Sequence, residues 1–315
     1  MNFLRKLAEF FTRKKKSEDE EEEKKEEHLN KQFQDLSIKE DEKFNYKSFI
    51  EGIKSKKYNK IVFMTGAGIS VSAGIPDFRS PNTGLYSKLQ KYNLPNPEAI
   101  FDIEYFRMNP KPFYTLSKEI LGKKVKPTTS HFFQKILFDM GIVHNIFTQN
   151  IDGLELEAGV PLEKICQAHG HYRTCHCISC KKEHDIKKMM DNIEKEIIYE
   201  CDDSSCGGYI KPDIVFFRES LPIDFFQKSL SIKQCDLAII MGTSLKVFPL
   251  ASLVKTIPKD VPIVLINREK SLEENDYRKN FLYLSGDLDS NVKKIVKDLG
   301  MLDLYNKLEN EISNK

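Results

Sequence analysis

Ile142-Val143-His144-Asn145-Ile146-Phe147-Thr148-Gln149-Asn150-Ile151-Asp152-Gly153 is the stretch from which the fold of this chain is read. Residues 142–147 read as a buried strand, so Gln149, Asn150 and Asp152 fall where that strand ends, the usual ligand edge of a parallel sheet. After a short helix-like passage the stretch closes on Ala168-His169-Gly170. A strand cap built from turn-forming Asn and Asp is the plainer reading of the same residues.

Outward on the N-terminal side, Phe44 to Ile53 reads as a helix leading into a strand, Ile61-Val62-Phe63-Met64. Thr65-Gly66-Ala67-Gly68-Ile69-Ser70 follows directly. A Gly-rich strand-to-helix turn brings backbone N–H groups up to a pyrophosphate. Val71 stands where G-x-G-x-x-G requires its third glycine, so the dehydrogenase fingerprint fails. Asp77-Phe78-Arg79 comes next; an arginine here can hold phosphate in bidentate fashion and Phe78 offers an apolar wall, whereas a surface ion pair is the alternative for Asp77 and Arg79.

On the C-terminal side, residues 210–217, 235–241, 262–266 and 281–284 read as strands. The last three run into Gly242-Thr243-Ser244, Asn267-Arg268-Glu269 and Gly286-Asp287. Small or polar residues at each strand end converge on one crevice of a doubly wound, Rossmann-like parallel sheet. Between the strands at 61–64 and 142–147, residues 98–108, 113–121 and 129–140 are helical, and their Phe and Leu side chains read as core. His131 and His144 are taken as structural.

Cys177 and Cys180, then Cys201 and Cys206, form two close cysteine pairs. Four thiolates on two knuckles suit a tetrahedral, closed zinc site, a structural metal with no open position for water. Cys175 and His176 are reserve ligands, and the H-x-E of a zinc deaminase is missing. The fold class is therefore α/β: a doubly wound parallel sheet with a smaller zinc-ribbon plus helical lobe. The boundaries expected are a charged mobile extension over 1–42, a catalytic domain over 43–300 and a tail over 301–315. Within the domain, 43–80, 141–166 and 210–300 form the large lobe, 81–140 a helical insert and 167–209 the zinc module.

With 49 Lys and Arg against 47 Asp and Glu, bulk charge favours neither nucleic acid nor membrane as a partner. No apolar run approaches the roughly 20 residues of a membrane span, and no secretory signal is evident. The odd count of 7 cysteines suits a reducing compartment, so an intracellular protein is expected, cytoplasmic or nuclear, with a mitochondrial address left open. Phe3, Leu4, Leu7, Phe10 and Phe11 lie at helical spacing beside Arg13 to Lys16. This start suits a membrane-surface or partner-docking helix, a presequence, an import patch or a plain tail. Ser17 to Glu27 is too charged to bury a core.

Taken together, Gly66 to Ser70, Gly74 to Ser80, Thr148 to Asp152, His169-Gly170, the cysteine pairs, Lys211 to Phe217 and Met241 to Leu245 resemble the sirtuin family of NAD-dependent protein deacylases. The likeness covers roughly residues 43–300, and Ser80 to Tyr86 with Pro97 to Phe101 is similar to its eukaryotic deacetylase branch. The resemblance implies removal of acyl groups from protein lysines, with nicotinamide released and the acyl group ending on ADP-ribose. It implies His169 as general base toward a ribose hydroxyl, with Asn150 beside it in the catalytic set. Gln149, Asn150, Ile151 and Asp152 would hold ribose and carboxamide. Gly66, Ala67, Gly68, Asp77, Phe78 and Arg79 would form the cofactor loop. Gly242, Thr243 and Ser244 would meet phosphates and ribose, with Asn267, Arg268, Glu269, Gly286 and Asp287 on the adenosine side.

Val215, Phe216, Phe217 and Glu219 would line the edge that pairs with an extended acyl-lysine peptide. The expected cofactors are NAD and one structural zinc ion per chain, and the expected partners are acylated-lysine proteins, histone or otherwise. Two departures stand out: Arg218 replaces the glycine common in the family, and the second knuckle is a wider C-x4-C. With no arginine between Arg79 and Arg107, a tyrosine-arginine pair for acidic acyl groups is not evident, so acetyl or longer neutral acyl is expected over succinyl. Mono-ADP-ribosyl transfer at the same site and a catalytically silent zinc-ribbon interaction module are the competing expectations.

Overall fold

The computed structural model describes residues 44–77, 84–272 and 280–313. The expectations for residues 1–42, and for Phe78 and Arg79, lie outside the described residues.

Five apolar stretches and one short edge segment build the main sheet. These are β1 (Ile61–Thr65), β2 (Val143–Thr148), β3 (Ile165–Gln167), then, after three short strands of a second sheet, β7 (Leu237–Met241), β8 (Ile263–Asn267) and β9 (Phe281–Ser285). The order is β3-β2-β1-β7-β8-β9, and every pairing within it is parallel. β1 and β7 are buried at every position, as continuous apolar strands covered on both faces must be. The order reverses between β1 and β7, the switch point at which a doubly wound sheet leaves a crevice beyond its strand ends.

One face packs Phe225, Ile232, Leu250, Leu253 and Val254 from the helical stretches 223–234 and 250–256 against Val62, Met64, Ala238 and Ile240. Helices Thr129–Asp139, Leu288–Asp298 and Leu302–Ser313 pack on one another away from that cluster. Helix Thr129–Asp139, read from sequence as part of a helical insert, thus belongs with the large lobe; Phe133 meets Phe63 of β1 edge to face at 5.9 Å. The stretch read as a tail after residue 300 is helical as well. Tyr305 is buried against Phe132 with ring centroids 5.7 Å apart, and its hydroxyl lies 3.1 Å from Thr129 Oγ1.

The second sheet is antiparallel, in the order β5-β4-β6, from β4 (Gly170–Cys177), β5 (Glu183–His184) and β6 (Ile210–Ile214). This corrects the expectation that the strand starting at Ile210 returns to the parallel sheet. The large lobe resumes later, because the backbone of β6 is held by β4: Ile214 pairs with Gly170 and Ile210 with Cys177. Residues 84–121 share one apolar core with this sheet, including Phe106, Phe113, Tyr114, Met189, Ile193 and Phe216. Tyr114 ties it together, donating to Ile210 O at 2.8 Å and accepting from Tyr199 N at 3.2 Å.

Candidate active site

At the switch point the loops after β1 and β7 touch backbone to backbone. Gly68 N donates to Gly242 O at 2.8 Å, and Gly66 N to Met241 O at 3.2 Å. A Cβ on Gly68 would lie 2.6 Å from Gly242 Cα, and one on Gly242, at φ +61°, would lie 2.5 Å from Ile69 N. Only glycine permits that approach. The turn continues as a 3-10 helix, Ala67–Ala73, ended by Gly74 at φ +90°.

The strand end quoted at the outset is held from both sides. Gln149 accepts from Thr243 Oγ1 at 2.7 Å and donates from Nε2 to Val247 O at 3.2 Å, so its amide spans β2 and the β7 loop. Asn150, buried, donates from Nδ2 to Gly66 O and to Ser70 Oγ, each at 3.2 Å. Asp152 accepts from Ser70 Oγ at 2.7 Å and from Leu154 N at 3.0 Å. Burial pushes the Asp152 carboxyl up, against those two hydrogen bonds that hold it down. Ile151 is half-buried against the small-lobe core. Ser70 carried no separate role in the sequence reading; its place one turn into the loop after Gly66 is the signal that could have marked it.

His169 lies between β3 and β4. Its Nδ1 is 3.1 Å from Gln149 O and its Nε2 is 3.0 Å from Phe248 O. Both neighbours can only accept, so the neutral ring satisfies one of them and the imidazolium satisfies both. Burial lowers the pKa, while the two carbonyls act to raise it, Phe248 O ahead of Gln149 O. The ring is therefore neutral near pH 7, and an acceptor already stands where a second N–H would form.

The remaining strand ends complete the crevice wall. Asn267 donates to Thr243 O at 3.1 Å and to Glu269 O at 2.9 Å, which places both loops around one turn. Ser244, Arg268 and Glu269 are exposed. Gly286, at φ +109°, precedes Asp287, which caps helix Leu288–Asp298 by accepting from Ser290 N at 2.9 Å. The Ser290 hydroxyl and backbone amide hold the Asp287 carboxyl below its ordinary value. Asp77 is half-buried and its carbonyl accepts from Leu85 N at 2.7 Å.

The segment after β6 divides the four residues expected along a peptide edge. Val215 N donates to His169 O at 2.9 Å. Phe217 N donates to Phe101 O at 2.8 Å while its ring is 43% exposed. Phe216 points the other way, fully buried with its ring centroid 4.9 Å from that of Phe113, and so belongs to the core. Glu219 accepts from Phe216 N at 2.9 Å and pairs with the buried Lys211 Nζ at 3.0 Å, which fixes the turn. A cavity of about 420 Å³ opens between Glu219, Lys211, Asp213 and the zinc knuckle at Cys177. No residue of the switch-point crevice lines it, and the converging strand ends mark that crevice as the better candidate for chemistry.

The four knuckle cysteines put one Sγ each within 4.8 Å of the others. Cys177 and Cys206 sulfurs are 3.5 Å apart, Cys180 and Cys201 3.8 Å. Four sulfurs about 2.3 Å from a central zinc ion would be spaced about 3.8 Å apart, so the donor set fits the metal, wider loop included. Cys175 and His176 are engaged elsewhere: Cys175 Sγ donates to His184 O at 3.3 Å and His176 Nδ1 lies 2.8 Å from Asp213.

Residues 66–249 match the family model described as the Sir2 family. The chain is 55% identical over 220 residues to a Dictyostelium discoideum protein named NAD-dependent deacetylase sir2A, covering 69% of this chain and 43% of that one. It is 48% identical over 253 residues to the Danio rerio NAD-dependent protein deacetylase sirtuin-2, covering 79% of this chain and 66% of the relative. With the Schizosaccharomyces pombe NAD-dependent protein deacetylase hst2 it shares 44% identity over 257 residues, 81% of this chain and 76% of the relative. The chain thus spans less than two thirds of the length of the first two. A family match over the loops after β1, β2 and β7 and over the zinc module, and relatives aligned along most of the chain, agree with the geometry: this chain belongs to the Sir2 family.

Proposed function

We propose that the chain is an NAD-dependent protein-lysine deacylase that transfers acetyl, or another neutral acyl group, from a lysine side chain to ADP-ribose. With one water consumed, the products are nicotinamide, 2′-O-acyl-ADP-ribose and free lysine. The observation that carries this reading is the setting of His169, a neutral imidazole at the C-terminal edge of the sheet, between two carbonyl oxygens and beside the Asn150–Ser70–Asp152 network. NAD, when bound, supplies an activated glycosidic bond and the ribose hydroxyl that receives the acyl group.

The chain's own groups supply the rest. Gly66, Gly68 and Gly242 let the two loops meet at the edge where a pyrophosphate would lie, with Ala67, Asp77, Thr243 and Ser244 around it and Phe78 and Arg79 following Asp77 in the sequence. Asn267, Arg268, Glu269, Gly286 and Asp287 form the adenosine side. Gln149, Asn150, Ile151 and Asp152 orient the ribose and carboxamide, because their own positions are fixed by protein hydrogen bonds. His169 takes a ribose hydroxyl proton, and Gln149 O and Phe248 O stabilise the charged ring that results.

Val215, tied through its N–H to His169 O, and the exposed ring of Phe217 stand beside the extended peptide, while Phe216 and Glu219 hold that segment from behind. The partners are acylated proteins, histone or otherwise. Zinc on Cys177, Cys180, Cys201 and Cys206 holds the small lobe and takes no part in the chemistry. Mass spectrometry of products formed with NAD and a panel of acylated peptides tests the reading. Acyl-ADP-ribose in step with nicotinamide is expected; ADP-ribose attached to protein with the lysine still acylated would sink it.

A further inference from the structure

Behind Asp152, away from the groups just described, lies a buried polar cluster that the proposed reaction does not use. His131 and Glu155 are fully buried. One nitrogen of His131 and one carboxylate oxygen from each of Asp152 and Glu155 lie within 4.8 Å of one another. Neither Glu155 oxygen, nor His131 Nε2, has a hydrogen-bond partner among the described residues; Thr148 leans toward the Glu155 carboxyl without reaching bonding geometry. Such groups are costly to leave unmade, and proteins resolve them with a proton, an ion or a held water.

The histidine tautomer decides against an ion. His131 Nδ1 accepts from Thr128 N at 3.1 Å, while the Thr128 hydroxyl donates to Ile69 O at 2.6 Å. Nδ1 is thus an acceptor, and Nε2 carries the hydrogen. An N–H cannot ligate a metal, but it can donate. A water about 2.8 Å from each of three polar atoms would hold them about 4.6 Å apart, which the 4.8 Å limit met by these three atoms accommodates. With Nε2–H and the O–H of a protonated Glu155 donating in, the water in turn donates to Asp152.

We infer that His131, Glu155 and Asp152 hold one buried water, with Glu155 as the neutral acid, and that this water-linked triad positions the crevice by presenting Asp152 to Ser70 and, through Ser70, fixing Asn150. The triad rests on the reading of the crevice as the cofactor site, yet its own test does not need turnover. The titratable groups facing Glu155 are Asp152 from the strand end and His131 from helix Thr129–Asp139, while Glu157 of its own helix acts with Asp152 instead. Burial and then the Asp152 charge push the Glu155 carboxyl from 4.5 up to about 7, and burial drops His131 to about 3. Glu155 binds its proton more tightly folded than unfolded, so its stabilising contribution is full below about pH 4.5 and is lost as pH rises to about 7.

The experiment compares the full chain with Glu155→Gln and Glu155→Leu, using zinc content as the check that each folds. Melting temperature is read from pH 5 to 8, with NAD affinity by calorimetry and KM and kcat at each pH. Relative to Glu155→Gln, the natural chain is expected to lose melting temperature between about pH 5 and 7 and hold level above. NAD affinity is expected within about threefold of the natural chain for Glu155→Gln and about tenfold weaker for Glu155→Leu. Parallel melting curves for the natural chain and Glu155→Gln overturn the neutral acid, even if Glu155→Leu does not fold. Equal NAD affinity in all three overturns the positioning role. A missing deacylase activity with both signatures present would instead count against the proposed function alone.

Discussion

His169 has a ring whose charged form is better bonded than its neutral one, yet whose burial favours the neutral one. Burial wins, so the ring rests neutral. Under the proposed mechanism kcat/KM for an acylated peptide falls as pH drops, on a limb centred below 6.5, the ordinary histidine value. A pH–rate profile checks this, and a limb centred above 7 would reject the assignment. Under the proposed mechanism His169→Ala is expected to abolish acyl-ADP-ribose formation while NAD binding by calorimetry stays within about threefold, since the ring's two bonds run to backbone carbonyls.

Arg218 stands at φ +73° and reaches Asp102 Oδ2 at 3.3 Å from a 68% exposed side chain. The left-handed backbone costs an L residue about 1 kcal/mol or more, whereas an exposed ion pair returns about 0–1 kcal/mol. Glycine would remove the strain but adds about 0.5–1 kcal/mol of unfolded-state freedom. Arg218→Gly is therefore expected to shift stability by less than about 1 kcal/mol in denaturant titration. Under the proposed function its effect falls on KM for peptides that differ in charge beside the acyl-lysine.

Among the elements, the parallel strands were the most legible. Continuous apolar runs such as Leu237–Met241 have no other stable home than a sheet covered on both faces, and the polar residues after them mark its ligand edge. The strand from Ile210 was misplaced because Ile-Lys-Pro-Asp-Ile has the same local character in either kind of sheet. Its partner is decided by Gly170 and by the zinc knuckle it leads from. Phe216 could not be told from Phe217 by sequence, since alternation along an extended chain says that they face opposite ways without saying which way is in.

Two tests belong to this scale. Phe216→Ala removes a ring packed on Phe101, Phe106 and Phe113 and is expected to cost about 3–5 kcal/mol in unfolding free energy. Cys180→Ser, or chelation, is expected to release one metal per chain, measured by elemental analysis. The amides of β4, β5 and β6 should then lose hydrogen-exchange protection before those of β1 and β7.

For the molecule as a whole, the order of the six parallel strands makes one crevice from loops that are far apart in sequence: residues 66–74, 149–153, 242–248 and 267–269 meet only because β1 and β7 are neighbours. The charged balance of the chain foretold none of this. The C-terminal helix was read as a tail because its heavily charged exposed face outweighs one buried tyrosine, Tyr305. Tyr305→Ala is expected to lower unfolding free energy by about 3 kcal/mol, since it strips an edge-to-face partner from Phe132 and a hydroxyl from Thr129.

Gly170 has one more consequence. At φ +79°, with the position of a Cβ only 1.9 Å from Asp213 O, it is where the chain passes from β3 of the parallel sheet into β4 of the antiparallel one. His169, its neighbour, also accepts from Val215 N through its own carbonyl. Under the proposed mechanism the proton acceptor is thus the coupling between two gears, since the backbone that carries the imidazole also holds Val215 of the peptide side. Substrate seating and proton transfer would then keep a common clock.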